Sequence, residues 1–183
     1  MIKSMGINII ACVGPKWELG YRGNLIYNLP QDKKFFHDMT VNSVCIMGRK
    51  TFESFPGKQP LVDRFNVVLT KDRNFRADFP NVRVVNIIEQ AEGCAKLVSP
   101  TYPRGVYVIG GGIIYREMLD RCELAYVTRI LNAPAPHCDT FFPDLGNNDS
   151  WNLYEQTPVR VWRGAQYSFC VYSRTKKKHL ILV

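Results

Sequence analysis

The chain has 183 residues, 46% of them hydrophobic and 22% charged, with a formal net charge of +8. That balance implies one globular domain with a single sizeable core. It argues against a membrane-spanning helix, because no stretch approaches the roughly 20 consecutive apolar residues that one needs.

The first residues, Met1 to Asn8, carry no small-residue cleavage site, so no secretory signal is expected. Ile7 to Val13 is a continuous apolar run, the pattern of a strand buried on both faces. Gly14 to Tyr27 is rich in Gly, Asn and aromatic residues without period, which predicts a long loop of the kind that often carries function. Pro30 suits the first turn of a helix, where no backbone donor is missed. That helix is predicted to reach about Val41 with Phe35, Phe36 and Met39 on its apolar face. Val44 to Gly48 reads as a second buried strand that turns directly into a short helix starting at Arg49. Phe65 to Thr70 and Val82 to Val85 are the third and fourth strands, and Ile87 to Val98 has helical spacing. Val106 to Ile109 is a fifth strand, followed by Gly110-Gly111-Gly112 and a helix through Leu119. Leu124 to Ile130 is a sixth. Two further β-like runs, near Trp151 to Tyr154 and Gln166 to Tyr172, suggest a terminal antiparallel hairpin. Strands separated by helices imply crossovers and a mainly parallel sheet covered on both faces.

The cysteines at 12, 45, 94, 122, 138 and 170 form no C-x-x-C pair, and three of them sit in apolar runs as small hydrophobes. This fits free thiols in a reducing cytoplasm. His37, His137 and His179 lack metal-ligand spacing, so no metal is expected. The basic run Arg174 to His179 is read as a solvated tail rather than a nucleic-acid tether, since no recognised nucleic-acid motif accompanies it. A positive field also suits a small polyanionic ligand such as a phosphorylated dinucleotide.

Three short segments carry chemistry. Gly110-Gly111-Gly112-Ile113-Ile114-Tyr115 is a glycine-rich turn between a strand and a helix, where backbone amides can approach an anion; it is not the Rossmann fingerprint, because Tyr115 stands where the last glycine belongs. Gly48-Arg49-Lys50-Thr51 places two cations in the first turn of a helix, against the macrodipole, which is costly unless an anion binds. Lys71 and Arg73 follow a neighbouring strand and can join that patch. In Asn28-Leu29-Pro30-Gln31-Asp32 the helix dipole alone would account for the acid. Phe35 and Phe36, three and four residues on, bring aromatic surface to its face. Asp32 thereby becomes a candidate acceptor for a planar cationic or amidine-like heterocycle, its pKa raised by desolvation. No G-x-S-x-G or H-E-x-x-H motif occurs, which argues against the best-known serine and zinc hydrolases.

In this order, Asn28-Leu29-Pro30-x-Asp32 with Phe36, Ile46 to Ser54, Val108 to Tyr115, and Asp139-Thr140-x-Phe142-Pro143 resemble the dihydrofolate reductase family, from Ile9 to about Tyr172. The resemblance implies an α/β fold: an eight-stranded, mainly parallel sheet with a C-terminal antiparallel strand and helices on both faces. It implies one domain over 1–173 with a basic tail over 174–183. It also implies NADPH as cofactor, hydride transfer to C6 of 7,8-dihydrofolate to give tetrahydrofolate for one-carbon metabolism, inhibition by antifolates, and a cytoplasmic monomer.

Carried over, Asp32 would bind the pterin N3 and 2-amino group and favour protonation at N5, oriented by Thr128. Ala11, Cys12, Lys33, Phe36, Ile109 and Tyr115 would line the substrate site, with Phe55 and Leu61 on the p-aminobenzoyl ring and Arg64 on the glutamate α-carboxylate. Gly48, Arg49, Lys50, Thr51, Leu69, Thr70 and Lys71 would hold the adenosine half of the cofactor and its phosphates. Ala11, Ile109, Gly111, Gly112, Ile113, Ile114 and Tyr115 would meet the pyrophosphate and nicotinamide side, and Gly20, Asn24 and Leu25 belong to the loop that closes over the nicotinamide. A cis peptide is implied at Gly110-Gly111. Two departures stand out. Ile26-Tyr27 replaces the family's usual Pro-Trp, with the Tyr27 hydroxyl expected to serve an active-site water. Ile113 replaces a basic residue, which leaves selection of NADPH to Arg49, Lys50 and Lys71. The riboflavin-pathway reductase shares fold and cofactor but is not expected to pair Asn-Leu-Pro-x-Asp with Arg64.

Overall fold

The structure is a computed structural model and describes residues 6–175. Strands β1 (Ile7–Val13), β2 (Glu18–Tyr21) and β3 (Asn24–Leu25) precede helix α1 (Pro30–Thr40). There follow β4 (Val44–Gly48), α2 (Arg49–Glu53), β5 (Phe65–Leu69), β6 (Val82–Val85), α3 (Ile88–Val98), β7 (Val106–Gly110), α4 (Gly112–Met118) and β8 (Cys122–Ile130). The chain closes with β9 (Thr140–Phe141), β10 (Trp151–Gln156), β11 (Arg160–Trp162) and β12 (Ala165–Arg174).

Eight strands lie in the order β10-β12-β8-β1-β7-β4-β5-β6, with β11 paired to β12 off that path. Pairs from β8 through β1, β7, β4 and β5 to β6 are parallel, and β12 runs antiparallel to both β8 and β10. The alternation of side chains along each strand sorts the core into two halves. Ile9, Ala11, Val13, Val44, Ile46, Val67 and Val108 join Ala91 and Ala95 of α3 and Ile114 and Met118 of α4. Ile10, Cys45, Met47, Val68, Tyr107 and Tyr126 face Met39 of α1 and Phe52 of α2. Continuous apolar strands are therefore what a sheet buried on both faces requires.

Two expectations change. The stretch 14–27 is not irregular throughout: β2 pairs with β3 and with β9, which makes a small second sheet. Its strands, two to four residues long, are too short to show a period. The end of the chain is not a single hairpin either, since β11 intervenes and β12 pairs on its two sides with β8 and with β10 and β11. Arg174, expected to begin the basic tail, is the last residue of β12, and its Nε donates to the Cys122 carbonyl at 2.6 Å. The run 176–183 lies outside the described residues. No helix of the described residues is long and apolar enough to cross a membrane.

Candidate active site

The carboxyl ends of parallel strands share one edge of a sheet, where ligands of open α/β folds bind. Here that edge gathers Ala11 and Cys12 of β1, the β4–α2 turn, the β5 end at Leu69 and Thr70, and the β7–α4 turn. Met47 pairs with Gly110, so the two strand-to-helix turns stand side by side. They touch. A Cβ on Gly48 would lie 3.0 Å from Ile114 Cγ1, and one on Gly111 would lie 3.3 Å from Thr51 Oγ1. Gly110 has φ 115° and its peptide bond to Gly111 is cis, as the resemblance implied. A Cβ on Gly112 would meet Thr140 Cγ2 at 2.8 Å. These backbone segments are bare because neighbouring chain leaves no room for side chains.

Asp32 sits in the first turn of α1, after Pro30 and with no side-chain cap from Leu29. Cys12 and Thr128 are register partners on β1 and β8, and both follow the alternation onto the α1 side of the sheet. Burial pushes the Asp32 carboxyl above 3.8; the Thr128 hydroxyl and the Lys33 ammonium act against that rise. Thr128 is fully buried, and its Oγ1 makes no conventional hydrogen bond among the described residues, so it acts on Asp32 as a nearby dipole. Gln31 Oε1 is a second buried acceptor without a partner among them. The thiol of Cys12 is raised well above 9.0, first by burial and then by the Asp32 charge. Tyr115 is raised by burial, then by Asp32 and Cys12, and donates its hydroxyl to the Ile10 carbonyl at 2.8 Å. Next to Asp32, the Cys12 thiol and the Tyr115 hydroxyl are both held in their neutral forms.

Beyond Asp32 an aromatic wall leads outward. Phe35, Phe36, Phe55 and Leu61 are half-buried against the α1-side core, and Phe35 stacks toward Phe169 with centroids 4.5 Å apart. Arg64 ends this wall. It is 7% exposed, yet it has no carboxylate partner among the described residues. Its Nη1 donates to the Val62 carbonyl at 2.6 Å, and Nη2 to Thr40 Oγ1 at 3.3 Å and the His37 carbonyl at 3.4 Å. A guanidinium held by neutral acceptors keeps its full charge for an anionic ligand.

At the other end, Lys50 and Lys71 are exposed, whereas Arg49 is engaged: its Nη1 donates to Asp72 Oδ2 at 2.8 Å and its Nε lies 3.9 Å from Glu53. The stretch 14–27 forms the remaining border. Leu25 is 71% exposed, and Gly20 and Leu25 pair across the β2–β3 ladder. Asn24 donates to the Arg22 carbonyl. The Tyr27 hydroxyl donates to the Ala133 carbonyl at 2.8 Å, which leaves its lone pairs for any further partner. Burial and then the Glu18 charge push the Tyr27 pKa up to about 12. Among the described residues no group of three or more His, Cys, Asp or Glu could hold a metal ion.

The dihydrofolate reductase family model matches residues 6–175. The chain belongs to the dihydrofolate reductase family. It is 30% identical to a dihydrofolate reductase of Aedes albopictus, over 93% of this chain and 98% of that protein. It is 34% identical to the bifunctional dihydrofolate reductase-thymidylate synthase 2 of Arabidopsis thaliana, over 92% of this chain and 31% of that protein. The chain therefore spans about a third of the length of such bifunctional plant relatives. A solved dihydrofolate reductase from Enterococcus faecalis, complexed with NADP(H) and RAB-propyl, superposes with TM-score 0.78 at 29% identity, covering 93% of this chain and 97% of that one.

Within this family member, Asp32 lies near Thr128 and Cys12, although Thr128 Oγ1 makes no hydrogen bond to it among the described residues. Two further residues beside the site carry little sequence signal. Asp72 is one: its position three residues past β5 was legible, its pairing with Arg49 was not. Glu18 is the other, an acid 3% exposed inside a segment read as loop. The only sequence signal for it is its place between Trp17 and Leu19.

Proposed function

We propose that the chain is an NADPH-dependent dihydrofolate reductase that reduces 7,8-dihydrofolate to 5,6,7,8-tetrahydrofolate. The observation that carries this reading is the Asp32 carboxyl in the first turn of α1, raised by burial beside Cys12 and Tyr115, whose own ionisation is disfavoured. The residues at the sheet edge fit a phosphorylated dinucleotide: bare backbone at Gly110 to Gly112 can approach a pyrophosphate, and Lys50, Lys71 and Arg49 supply cations. The complex of the Enterococcus faecalis relative with NADP(H) supports the same cofactor. NADPH, when bound, supplies the hydride.

The rest is work for the chain's own side chains. Asp32 accepts hydrogen bonds from the pterin N3 and 2-amino group and raises the population protonated at N5, with Thr128 steadying the carboxylate. Ala11, Cys12, Lys33, Ile109 and Tyr115 surround the ring and Phe36 stacks on it. Phe55 and Leu61 take the p-aminobenzoyl group, and Arg64 takes the α-carboxylate. Gly48, Thr51, Leu69, Thr70, Ile113 and Ile114 complete the cofactor contacts. Gly20, Asn24 and Leu25 cover the nicotinamide side and exclude water. In this reading the catalytic unit is residues 1–173, followed by a basic tail, and works as a cytoplasmic monomer without nucleic acid. The deciding experiment follows loss of NADPH absorbance with dihydrofolate, with and without a diaminopyrimidine inhibitor. The reading requires inhibitor-sensitive oxidation, and oxidation driven only by a ribosylamino-pyrimidine would replace it with the riboflavin-pathway reaction.

A further inference from the structure

Glu18 is the one acid among the described residues that is less than a tenth exposed, and the chemistry above makes no use of it. An ionised carboxylate taken out of water needs compensation. No Lys, Arg or His nitrogen of the described residues lies within 4.0 Å of it. Its compensation is backbone. Oε2 accepts the Lys16 N–H at 2.6 Å, and Oε1 accepts the Ala135 N–H at 3.4 Å, 117 residues away. The first bond folds the start of the 14–27 stretch, and the second ties that stretch to the segment after β8.

Three neighbours make this a built strut. The Tyr27 hydroxyl, at the far end of the same stretch, donates to the Ala133 carbonyl, so two side chains reach the same short segment from both ends of 14–27. Both press on Gly14: a Cβ there would fall 2.5 Å from Glu18 Oε2 and would overlap the Tyr27 hydroxyl. The residue before Glu18, Trp17, has φ 64°, is 7% exposed, and lies under the Arg129 guanidinium at 3.9 Å. A bulky residue at positive φ is uncommon and persists only where its surroundings hold it. The Glu18 side chain that follows this turn is buried, 3% exposed.

We propose that Glu18 is a positioning residue for hydride transfer: by bridging the 14–27 stretch to Ala135 it fixes the cover over the nicotinamide side of the site. The role rests on the reductase reading. It acts through geometry, because a cover displaced by about 1 Å can slow a hydride step on the order of a hundredfold.

The test compares wild type, Glu18→Ala and Glu18→Gln in NADPH oxidation with dihydrofolate, using NADPH and NADPH deuterated at the transferred position. Glu18→Ala is expected to lower kcat at least about tenfold and to raise the deuterium isotope effect on kcat, as hydride transfer becomes limiting. Glu18→Gln keeps one acceptor and turns an amide N–H toward the other donor, so it is expected to fall between. Loss of melting temperature with kcat and isotope effect unchanged would reduce Glu18 to a structural residue and overturn the proposal. If Glu18→Ala does not fold, Glu18→Gln decides alone, and wild-type values in it overturn the role. A wild type that fails to oxidise NADPH with dihydrofolate overturns the reductase reading and this role with it.

Discussion

Arg49 and Asp72 form an ion pair of 2.8 Å across the β4–α2 turn and the loop after β5, so one of the cations assigned to the cofactor is neutralised in advance. Asp72 is itself held in place, accepting the Asn74 N–H on its other oxygen at 2.9 Å. Lys71, exposed beside it, is then the better candidate for the 2′-phosphate, and Asp72 tempers Arg49. Lys71→Ala should raise the NADPH KM about tenfold, the scale of one charge-assisted hydrogen bond, and leave that of NADH nearly unchanged. Asp72→Asn should lower the NADPH KM a few-fold. Arg49→Ala should also weaken NADPH more than NADH. Steady-state kinetics with both cofactors checks the set, and equal effects on the two would remove this patch from the 2′-phosphate site.

Asp32→Asn should cut kcat at neutral pH by orders of magnitude with NADPH affinity little changed. Its effect on stability has the opposite sign. Burial raises the folded-state pKa above 3.8, so the native protein binds more protons than the unfolded chain between those two values. Stability contributed by this group therefore falls as pH rises through that window, and the full penalty remains at neutral pH. Asp32→Asn should melt above wild type at pH 7, and the gap should close as pH falls below the ordinary carboxylate range. Melting curves across pH test it; a variant that melts lower than wild type at pH 7 would remove the desolvation penalty from the account.

Arg64 is preorganised by Val62, Thr40 and His37, so its value to a ligand is a fixed fork. Arg64→Lys should raise the dihydrofolate KM at least about tenfold, because a lysine offers a point charge without that fork. A dihydropterin lacking the glutamate should be reduced equally well by both proteins. Competition between the two substrates reads out the difference.

Tyr27→Phe removes the bond to the Ala133 carbonyl while keeping the ring. The expected loss is about 1 kcal/mol, or roughly 2–4 °C in melting temperature for a chain of this size. Calorimetry on the folded variant measures it, and an unchanged melting temperature would mean that the bond contributes nothing net.

The order of the main elements was legible because the strands of this sheet are buried on both faces and leave uninterrupted apolar runs, as at Ile7–Val13 and Val106–Gly110. The glycine turn and Asp32 were legible because their chemistry is local. The second sheet was not, since β3 and β9 are two residues each and β9 lies more than a hundred residues along the chain from its partner β2. Asp72 and Glu18 escaped for a related reason. An acid's meaning depends on what meets it in space, and for Glu18 that is the Ala135 amide, which no local pattern announces.

The small sheet also bears on how the 14–27 stretch would act as the proposed cover of the nicotinamide side. It is hydrogen-bonded at both margins, with Ile26 donating to Leu19 and Asp139 to Gly20, and β2 lies against β9. To uncover the site, the chain must break ladder bonds rather than swing about a free hinge. Opening is then a local unfolding event, and its frequency is set by the same bonds that shield those amides from exchange. Traces of urea too dilute to unfold the protein should hasten product escape, and the hydrogen-exchange clock at Ile26 and Asp139 should run in step with turnover wherever release limits the rate.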